Sequence, residues 1–216
     1  MLTSRCLAAA CLALLVSAPK GAAARDSSVP GPHLSRAERE GLLAFEVVSR
    51  PLQLETERGS YRGGVAYSLV HAPVAAVLAA LSNVDTLPQA LPHTKSAHLI
   101  DVRGTLARVE LVHGGGATYT VNIERSKDRS ELRFWLDPTR EHDISDVFGF
   151  FRVEPFGPGK SLVTVATLLD IGPGLTRLFF SDAVERALLR APAHIRNYVE
   201  PRALALLEGP NAAGGF

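Results

Sequence analysis

DVFGFFRVEPFGPGKSLVTVATLLDIGPG, residues 146–174, has the pattern of two β-strands joined by a tight turn. Pro158 and Gly159 are turn residues, and apolar side chains alternate along both flanking runs. Because successive strand residues point to opposite faces of a sheet, this hairpin is apolar on both faces. A hairpin with one solvated face is apolar on one side only. We therefore expect something to cover each face: protein, a partner or a ligand.

Further strand patterns precede this hairpin. Four of them lie between residues 95 and 138, separated by turn signals such as Arg103-Gly104 and Gly114–Gly116. Another strand is predicted at about 61–71. Short strands at this spacing are typical of an antiparallel meander.

Helical patterns flank the strands. A helix is predicted to begin near Pro73 and to break near Asn83, with a second short helical turn after it. The longest helical pattern covers residues 173–207. Pro192 within it is expected to kink or break the helix.

This order of elements predicts an α+β fold of the type β-αα-β6-α. Its seven-stranded curved antiparallel sheet would wrap around the long C-terminal helix. One helix cannot fill the whole hollow of such a sheet, so an elongated cavity is expected. One face of 146–174 would then pack on the helix or line the cavity. The other face would be covered by residues 35–58 or by a second subunit.

The N-terminus has the pattern of a Sec-type signal peptide over residues 1–24. Arg5 precedes an apolar run from Cys6 to Ala18, and Ala22-Ala23-Ala24 fits an A-x-A cleavage site. The run is too short to span a bilayer, although a retained anchor is the alternative. The prediction is an exported protein, periplasmic or secreted.

The rest of the chain divides into three parts. Residues 25–58 form an extension with a short helix at 35–46, which the capping-box residues Ser35 and Glu38 begin. Pro51 places the segment around it at a sheet edge. Residues 59–207 form the domain, and residues 208–216 are predicted to be a disordered tail.

Three stretches together resemble the START-related polyketide cyclase–dehydrase superfamily, which has the helix-grip fold. They are GGVAYSLVHAPVAAVLAALSNVDTLPQALPHTKSAHLI (63–100), FGFFRVEPFGPGKSLVTVATLLDIG (148–172) and the helical pattern that follows. Within the superfamily the chain is most similar to the coenzyme Q-binding START-like proteins. The resemblance implies a fold with a cavity. It does not imply one activity, since members include lipid and quinone carriers, hormone receptors and aromatases.

The favoured function is binding or carrying a hydrophobic ligand: a lipid, an isoprenoid, a quinone or an aromatic metabolite. The first alternative is a cyclase or dehydratase acting on an aromatic or polyketide-like substrate. Export weighs against it, because acyl-carrier substrates are cytoplasmic. The second is a non-catalytic partner-binding domain with a filled core. Catalytic residues, a metal site and a cofactor are not expected.

The expected partner is a hydrophobic small molecule or lipid, with transient membrane contact as a further option. A formal charge of +1 argues against nucleic acid, and the oligomeric state stays open. Residues 81–95 are the predicted gate of the cavity, since prolines and small residues limit their packing. The candidate cavity residues are Tyr67, Leu91, Val109, Leu111, His113, Tyr119, Trp135, Phe148, Phe150, Leu178 and Phe179.

Several polar residues are interpreted as ordinary surface groups. His93 and His98 have no third ligand at a recognisable spacing, so both are predicted to be exposed. The loop of residues 137–146 lacks the glycine of a calcium loop and is predicted to be solvated. Strand alternation predicts that Arg108 and Glu110 point outward.

Overall fold

The computed structural model describes residues 34–57, 59–128, 130–172 and 175–208, and for residues 175–181 it describes the backbone alone. The predicted signal peptide, and the predicted tail beyond Glu208, lie outside the described residues. The strands are β1 (Val48–Thr56), β2 (Gly59–Val70), β3 (Thr94–Arg103), β4 (Leu106–His113), β5 (Thr118–Arg125), β6 (Glu131–Leu136), β7 (Asp146–Pro155) and β8 (Ser161–Asp170).

These strands form one antiparallel sheet in the order β1-β2-β8-β7-β6-β5-β4-β3. The expected α+β architecture is confirmed, but the sheet has eight strands and the predicted count of seven is wrong. The additional strand is β1, which pairs with β2 along its whole length, from Val48 opposite Tyr67 to Thr56 opposite Gly59. As predicted, the segment around Pro51 is at an edge. At the opposite edge, β3 has two register shifts against β4.

Two adjacent glycines allow β1, β2 and β8 to pack tightly. Gly63 and Gly64 have φ values of 148° and 141°, a region that side chains other than glycine rarely adopt. A Cβ atom on Gly63 would lie 2.0 Å from the backbone oxygen of Thr167, and one on Gly64 would lie 2.1 Å from that of Arg50. Glycine within a strand marks such close backbone approaches.

The helices lie before, between and after the strands. They are α1 (Arg36–Leu43), α2 (Val74–Ser82), α3 (Leu87–Ala90), α4 (Leu175–Leu189), α5 (Ala191–Val199) and α6 (Ala203–Glu208). The capping box predicted for α1 is present, with both Ser35 and Glu38 hydrogen bonds formed.

The C-terminal helical pattern is not one long helix. It is divided at Arg190, and Pro192 lies in the first turn of α5. This confirms the predicted break, because proline lacks the N–H that would continue the preceding helix. The long terminal helix of the prediction is therefore corrected to three consecutive helices.

One face of the sheet, the inner face, packs against α2, α3 and α5 and forms the main core. Val109, Val153 and Val163 on three strands are at most 1% exposed, and Ile195 of α5 is fully buried among the same cluster. On the β7–β8 hairpin, Val147, Phe151 and Val153 are on this inner face.

The opposite, outer face is covered in part by the N-terminal extension. Leu34 and Leu42 are at most 3% exposed and pack with Tyr67, Leu69 and Leu162. Arg50 of β1 holds α1 in place through a 2.7 Å ion pair with Glu38. Residues 34–48 therefore cover the second apolar face of the hairpin at one end of the sheet, as expected for the extension.

The predicted gate is well packed. Leu81, Val84 and Leu87 are at most 7% exposed and belong to the main core, and Ala90 is fully buried. The expectation that prolines and small residues leave residues 81–95 loosely packed is therefore wrong, because the apolar side chains between them fit against the sheet.

Candidate functional site

The inner face is fully packed at one end and partly exposed at the other. The partly exposed end is where β5 and β7 begin and where β4, β6 and β8 finish; we call it the His113 end. Helix α4 begins there too, directly after β8. At this end the apolar side chains that contact the core without being fully buried are Leu91, Ala97, Tyr119, Leu136, Ile144 and Leu169.

A tight turn brings two polar side chains together at this end. The His113 N–H donates to the oxygen of Ala117 at 2.8 Å, and the Gly116 N–H donates to the oxygen of His113 at 2.9 Å. Gly116 has φ of 91°, which favours glycine. The turn sets β5 beside β4, so that Tyr119 lies opposite Leu111 and diagonal to His113.

His113 and Tyr119 form a hydrogen-bonded pair. Their Nε2 and hydroxyl oxygen are 2.8 Å apart, and the two rings are stacked with centroids 5.5 Å apart. His113 follows the same alternation as Ala107, Val109 and Leu111, so it points to the inner face. Tyr119 also contacts the main core. The pair therefore places polar atoms within an otherwise apolar surface.

Burial favours the uncharged form of both groups. It lowers the pKa of the His113 imidazole, and the nearby His93 lowers this pKa further. Burial also raises the pKa of the Tyr119 hydroxyl, because a phenolate is poorly solvated in an apolar environment. At neutral pH the pair is a neutral imidazole hydrogen-bonded to a neutral phenol.

His93 lies at the rim of the His113 end. The Gly114 N–H donates to the His93 oxygen at 2.8 Å, and His93 has φ of 56°, a region in which histidine is several-fold enriched. His93 also acts on a histidine of α5: desolvation lowers the pKa of His194, and the nearby His93 and Arg190 lower it further.

The side chains of His93 and His98 are exposed, as predicted.

Comparison with solved structures identifies the fold. An aromatase/cyclase (Zhui) from Streptomyces sp. R1128 aligns with a TM-score of 0.56 and 15% identity, over 72% of this chain and 99% of that one. A STAR-related lipid transfer protein from Xanthomonas axonopodis aligns with a TM-score of 0.55 and 11% identity, over 70% and 98%. A START superfamily protein from Mycobacterium smegmatis aligns with a TM-score of 0.50 and 16% identity, over 66% and 97%.

The fold is START-like. No family model matches the sequence, and no curated protein matches it. The resemblance proposed from the three sequence stretches is confirmed at the level of this START-like fold.

Four of the predicted cavity residues are on the outer face of the START-like sheet, away from α5. Tyr67 packs under α1. Phe148 pairs with Trp135, and Phe150 with Ala166, out of phase with the inward-facing Phe134 and Phe151. The assignment of Tyr67, Trp135, Phe148 and Phe150 to a cavity beneath the terminal helix is therefore corrected. Alternation groups residues by face, but it does not say which face meets the helix.

The remaining predicted cavity residues are on the inner face, except for two whose side chains lie outside the described residues. Val109 and Leu111 are core residues, and Leu91, His113 and Tyr119 are at the partly exposed end. The side chains of Leu178 and Phe179 lie outside the described residues. Ligand binding by all of these residues stays a prediction.

The outer face has a cleft of its own. It is a broad, shallow depression of about 440 Å³, lined by Leu54, Thr56, Glu57, Tyr61 and Phe148. The Tyr61 hydroxyl donates to Asp146 Oδ2 at 2.8 Å, and the rings of Tyr61 and Phe148 meet edge to face at 5.4 Å. Residues 34–48 do not reach this part of the hairpin.

The loop between β6 and β7 has a structural role. Asp137 is 2% exposed, so the expectation of a solvated loop is wrong for this residue. Burial alone would raise the pKa of Asp137, but hydrogen bonds from Thr139 and the nearby Arg108 outweigh it and lower the pKa. His142 Nε2 is 2.6 Å from the backbone oxygen of Asp137, and its Nδ1 accepts from the Thr120 N–H.

On the outer face, Arg108 donates to Asp101 at 2.7 Å, which confirms its predicted outward placement. Within the part of the chain that the structure describes, no three His, Cys, Asp or Glu side chains are grouped in a way that could hold a metal ion.

Proposed function

We propose that this protein binds or carries a hydrophobic small molecule or lipid between the inner face of its sheet and its C-terminal helices. The observation that carries the proposal is the change in burial along the inner face. At one end the inner face of the sheet is buried under α2 and α5, and at the His113 end six apolar side chains stay partly exposed: Leu91, Ala97, Tyr119, Leu136, Ile144 and Leu169. The START-like fold supports this assignment, because two of the similar structures are START-type proteins.

Desolvation supplies the binding energy in this proposal. Each Å² of apolar surface removed from water contributes about 25 cal/mol. Transfer of some 200 Å² of ligand surface onto the inner face would therefore contribute about 5 kcal/mol, before the entropic costs of association. The main core holds the face in place when the site is empty, so binding needs no refolding.

Extraction of the protein tests this proposal. The chain from Arg25 onward is purified from its export compartment, extracted with organic solvent and analysed by mass spectrometry. A co-purified lipid, isoprenoid, quinone or aromatic metabolite at near-stoichiometric amount is expected. Leu136→Trp on the inner face should reduce the amount bound. Leu52→Trp, on the exposed edge strand, is the matched control and should not.

Absence of any bound molecule, together with no binding of added hydrophobic probes, would contradict the proposal. It would favour a partner-binding domain with a filled core.

A second candidate function is a cyclase or dehydratase acting on an aromatic or polyketide-like substrate. The observation that favours it is the His113–Tyr119 pair, because a neutral imidazole within hydrogen-bond distance of a phenol can transfer protons. One similar structure is named an aromatase/cyclase. Conversion of an aromatic polyketide mimic by the purified protein, lost in His113→Gln, would establish this function in place of simple carriage.

Export is part of the proposal, with periplasmic or secreted localisation and transient contact with a membrane that supplies the ligand. The signal-peptide pattern of residues 1–24 supports export. None of the helices in the described part of the chain has the length and apolar composition needed to cross a membrane. N-terminal sequencing of protein from the culture supernatant or periplasm should find a start at Arg25, and an intact Met1 in a membrane fraction would contradict it.

A further inference from the structure

We infer that the ligand carries an uncharged oxygen head group, a carbonyl or a hydroxyl, and that Tyr119 and His113 hold this oxygen at the His113 end. The inference rests on the proposed function and specifies the chemical class of the ligand. It excludes anionic lipids, such as fatty acids and phospholipids with a buried phosphate, as the preferred ligands of the same site.

The pair can offer a hydrogen bond to a ligand. With 2.8 Å between His113 Nε2 and the Tyr119 hydroxyl, one atom donates and the other accepts. If Tyr119 donates to the imidazole, its oxygen is left to accept from a ligand hydroxyl. If the imidazole donates, the Tyr119 hydroxyl is left to donate to a ligand carbonyl. In both arrangements Tyr119 has one bond to offer to one oxygen.

Neither member of the pair is charged at neutral pH, because burial lowers the pKa of the His113 imidazole and raises that of the Tyr119 hydroxyl. A carboxylate or phosphate buried against two neutral groups would lose its hydration without gaining a counter-ion, and this desolvation disfavours binding. An uncharged ketone, quinone or alcohol loses far less.

The arginines on the two strands that carry the pair lie away from it. Arg108 of β4 is on the outer face, bound to Asp101 at 2.7 Å. Arg125 is at the opposite end of β5, where it donates to Ser82 of α2. Neither guanidinium is directed to the His113 end. Arg62 of β2 lies opposite Leu169 on the inner face, but it is paired with Asp182 of α4 at 3.6 Å, so β4 and β5 supply hydrogen bonds to the ligand and no cation.

The experiment compares probes of matched chain length. The mature protein is loaded with diphenylhexatriene, a fluorescent hydrocarbon without oxygen, which is then displaced by 2-dodecanone or by laurate at pH 7.5. We expect 2-dodecanone to bind at least tenfold more tightly than laurate. Tyr119→Phe should weaken 2-dodecanone about fivefold, the value of one neutral hydrogen bond. It should leave diphenylhexatriene binding unchanged. Tyr67→Phe, on the outer face, is the matched control and should alter neither affinity.

The outcomes separate this inference from the proposed function. Laurate binding as tightly as 2-dodecanone, or equal losses for the ketone and the hydrocarbon in Tyr119→Phe, would overturn the inference while hydrophobic binding stands. Failure of diphenylhexatriene to bind would overturn both. If Tyr119→Phe does not fold, the ratio of ketone to laurate affinity in the unaltered protein still decides the inference.

Discussion

The two faces of the β7–β8 hairpin have the same apolar alternation but different surroundings. On the inner face Val153, Val163 and Val165 are at most 3% exposed, beneath α2, which precedes the hairpin in the chain, and α5, which follows it. On the outer face Leu162 is fully buried under α1, whereas Phe148 is 38% exposed. An apolar strand face therefore predicts that another part of the protein packs on it. How much of the face is buried depends on how far that segment, which is distant in sequence, extends over the sheet.

The largest expected effect on stability is at Gly149 of β7, whose backbone packs directly against that of β8. A Cβ atom there would lie 2.0 Å from the Ala166 oxygen and 2.6 Å from Phe134 Cζ. Gly149→Val should therefore force β7 away from β8 and lower the free energy of unfolding by about 4 kcal/mol. Urea denaturation measures the change.

Gly115→Ala is the control for that variant, since no atom lies within 4 Å of its added Cβ. It should be nearly neutral. Equal stabilities for the two variants would show that β7 and β8 are not packed as closely as described.

The next effect compares the covers of the two faces. Ile195→Ala removes a fully buried side chain of α5 from the inner face and should cost about 3 kcal/mol. Leu42→Ala removes a fully buried side chain of α1 from the outer face. It should cost about 2 kcal/mol, because a short terminal helix can relax into the space.

Binding of diphenylhexatriene separates the two covers further. Ile195→Ala should change the affinity, and Leu42→Ala should leave it unchanged. A loss of affinity in Leu42→Ala alone would place the hydrophobic site on the outer face.

A smaller, pH-dependent effect is expected at the ion pair that holds α1. Hydrogen bonds from Arg50 and from Ser35 lower the pKa of Glu38 from 4.5 to about 2. Since the folded-state pKa is the lower one, this stabilisation is present above pH 4.5 and is lost as the pH falls toward 2.

Glu38→Gln should therefore melt at a lower temperature than the unaltered protein at pH 7, with the difference shrinking toward pH 2. Thermal melts followed by circular dichroism would measure it. A difference that stays constant across this range would contradict the role of the Glu38 charge.

The smallest effect is expected for Phe148→Ser. Its ring is 38% exposed and contacts Tyr61 edge to face, so the loss should be about 0.5 kcal/mol. The same denaturation experiment measures it, and a loss as large as that of Ile195→Ala would indicate that another segment covers the outer cleft.

Much of the fold follows from local sequence features. The capping box of Ser35, the turn at Pro158-Gly159 and the break at Pro192 act over a few residues, and each was predicted at its observed place. The pairing of β1 with β2 was missed. It depends on glycines at 63 and 64, which let β1 approach closely, and this is visible only once both strands are aligned.

The candidate site was predicted in part for the same reason. Alternation along β4 places His113 with Val109 and Leu111, and this signal is present in the sequence. The placement of Trp135 and Phe148 could not be predicted, because it depends on which face of the sheet α5 packs against, and that contact joins residues far apart in sequence. The contact between His113 and Tyr119 needed the geometry of the Gly114–Gly116 turn.

The two edges of the sheet bear on how this protein can meet other molecules. Pro51 removes a backbone donor from the middle of β1, and the register of β3 is interrupted twice. Neither border offers an unbroken row of donors and acceptors on which a foreign strand could grow. Both interruptions therefore disfavour growth of the eight-stranded sheet into a fibre.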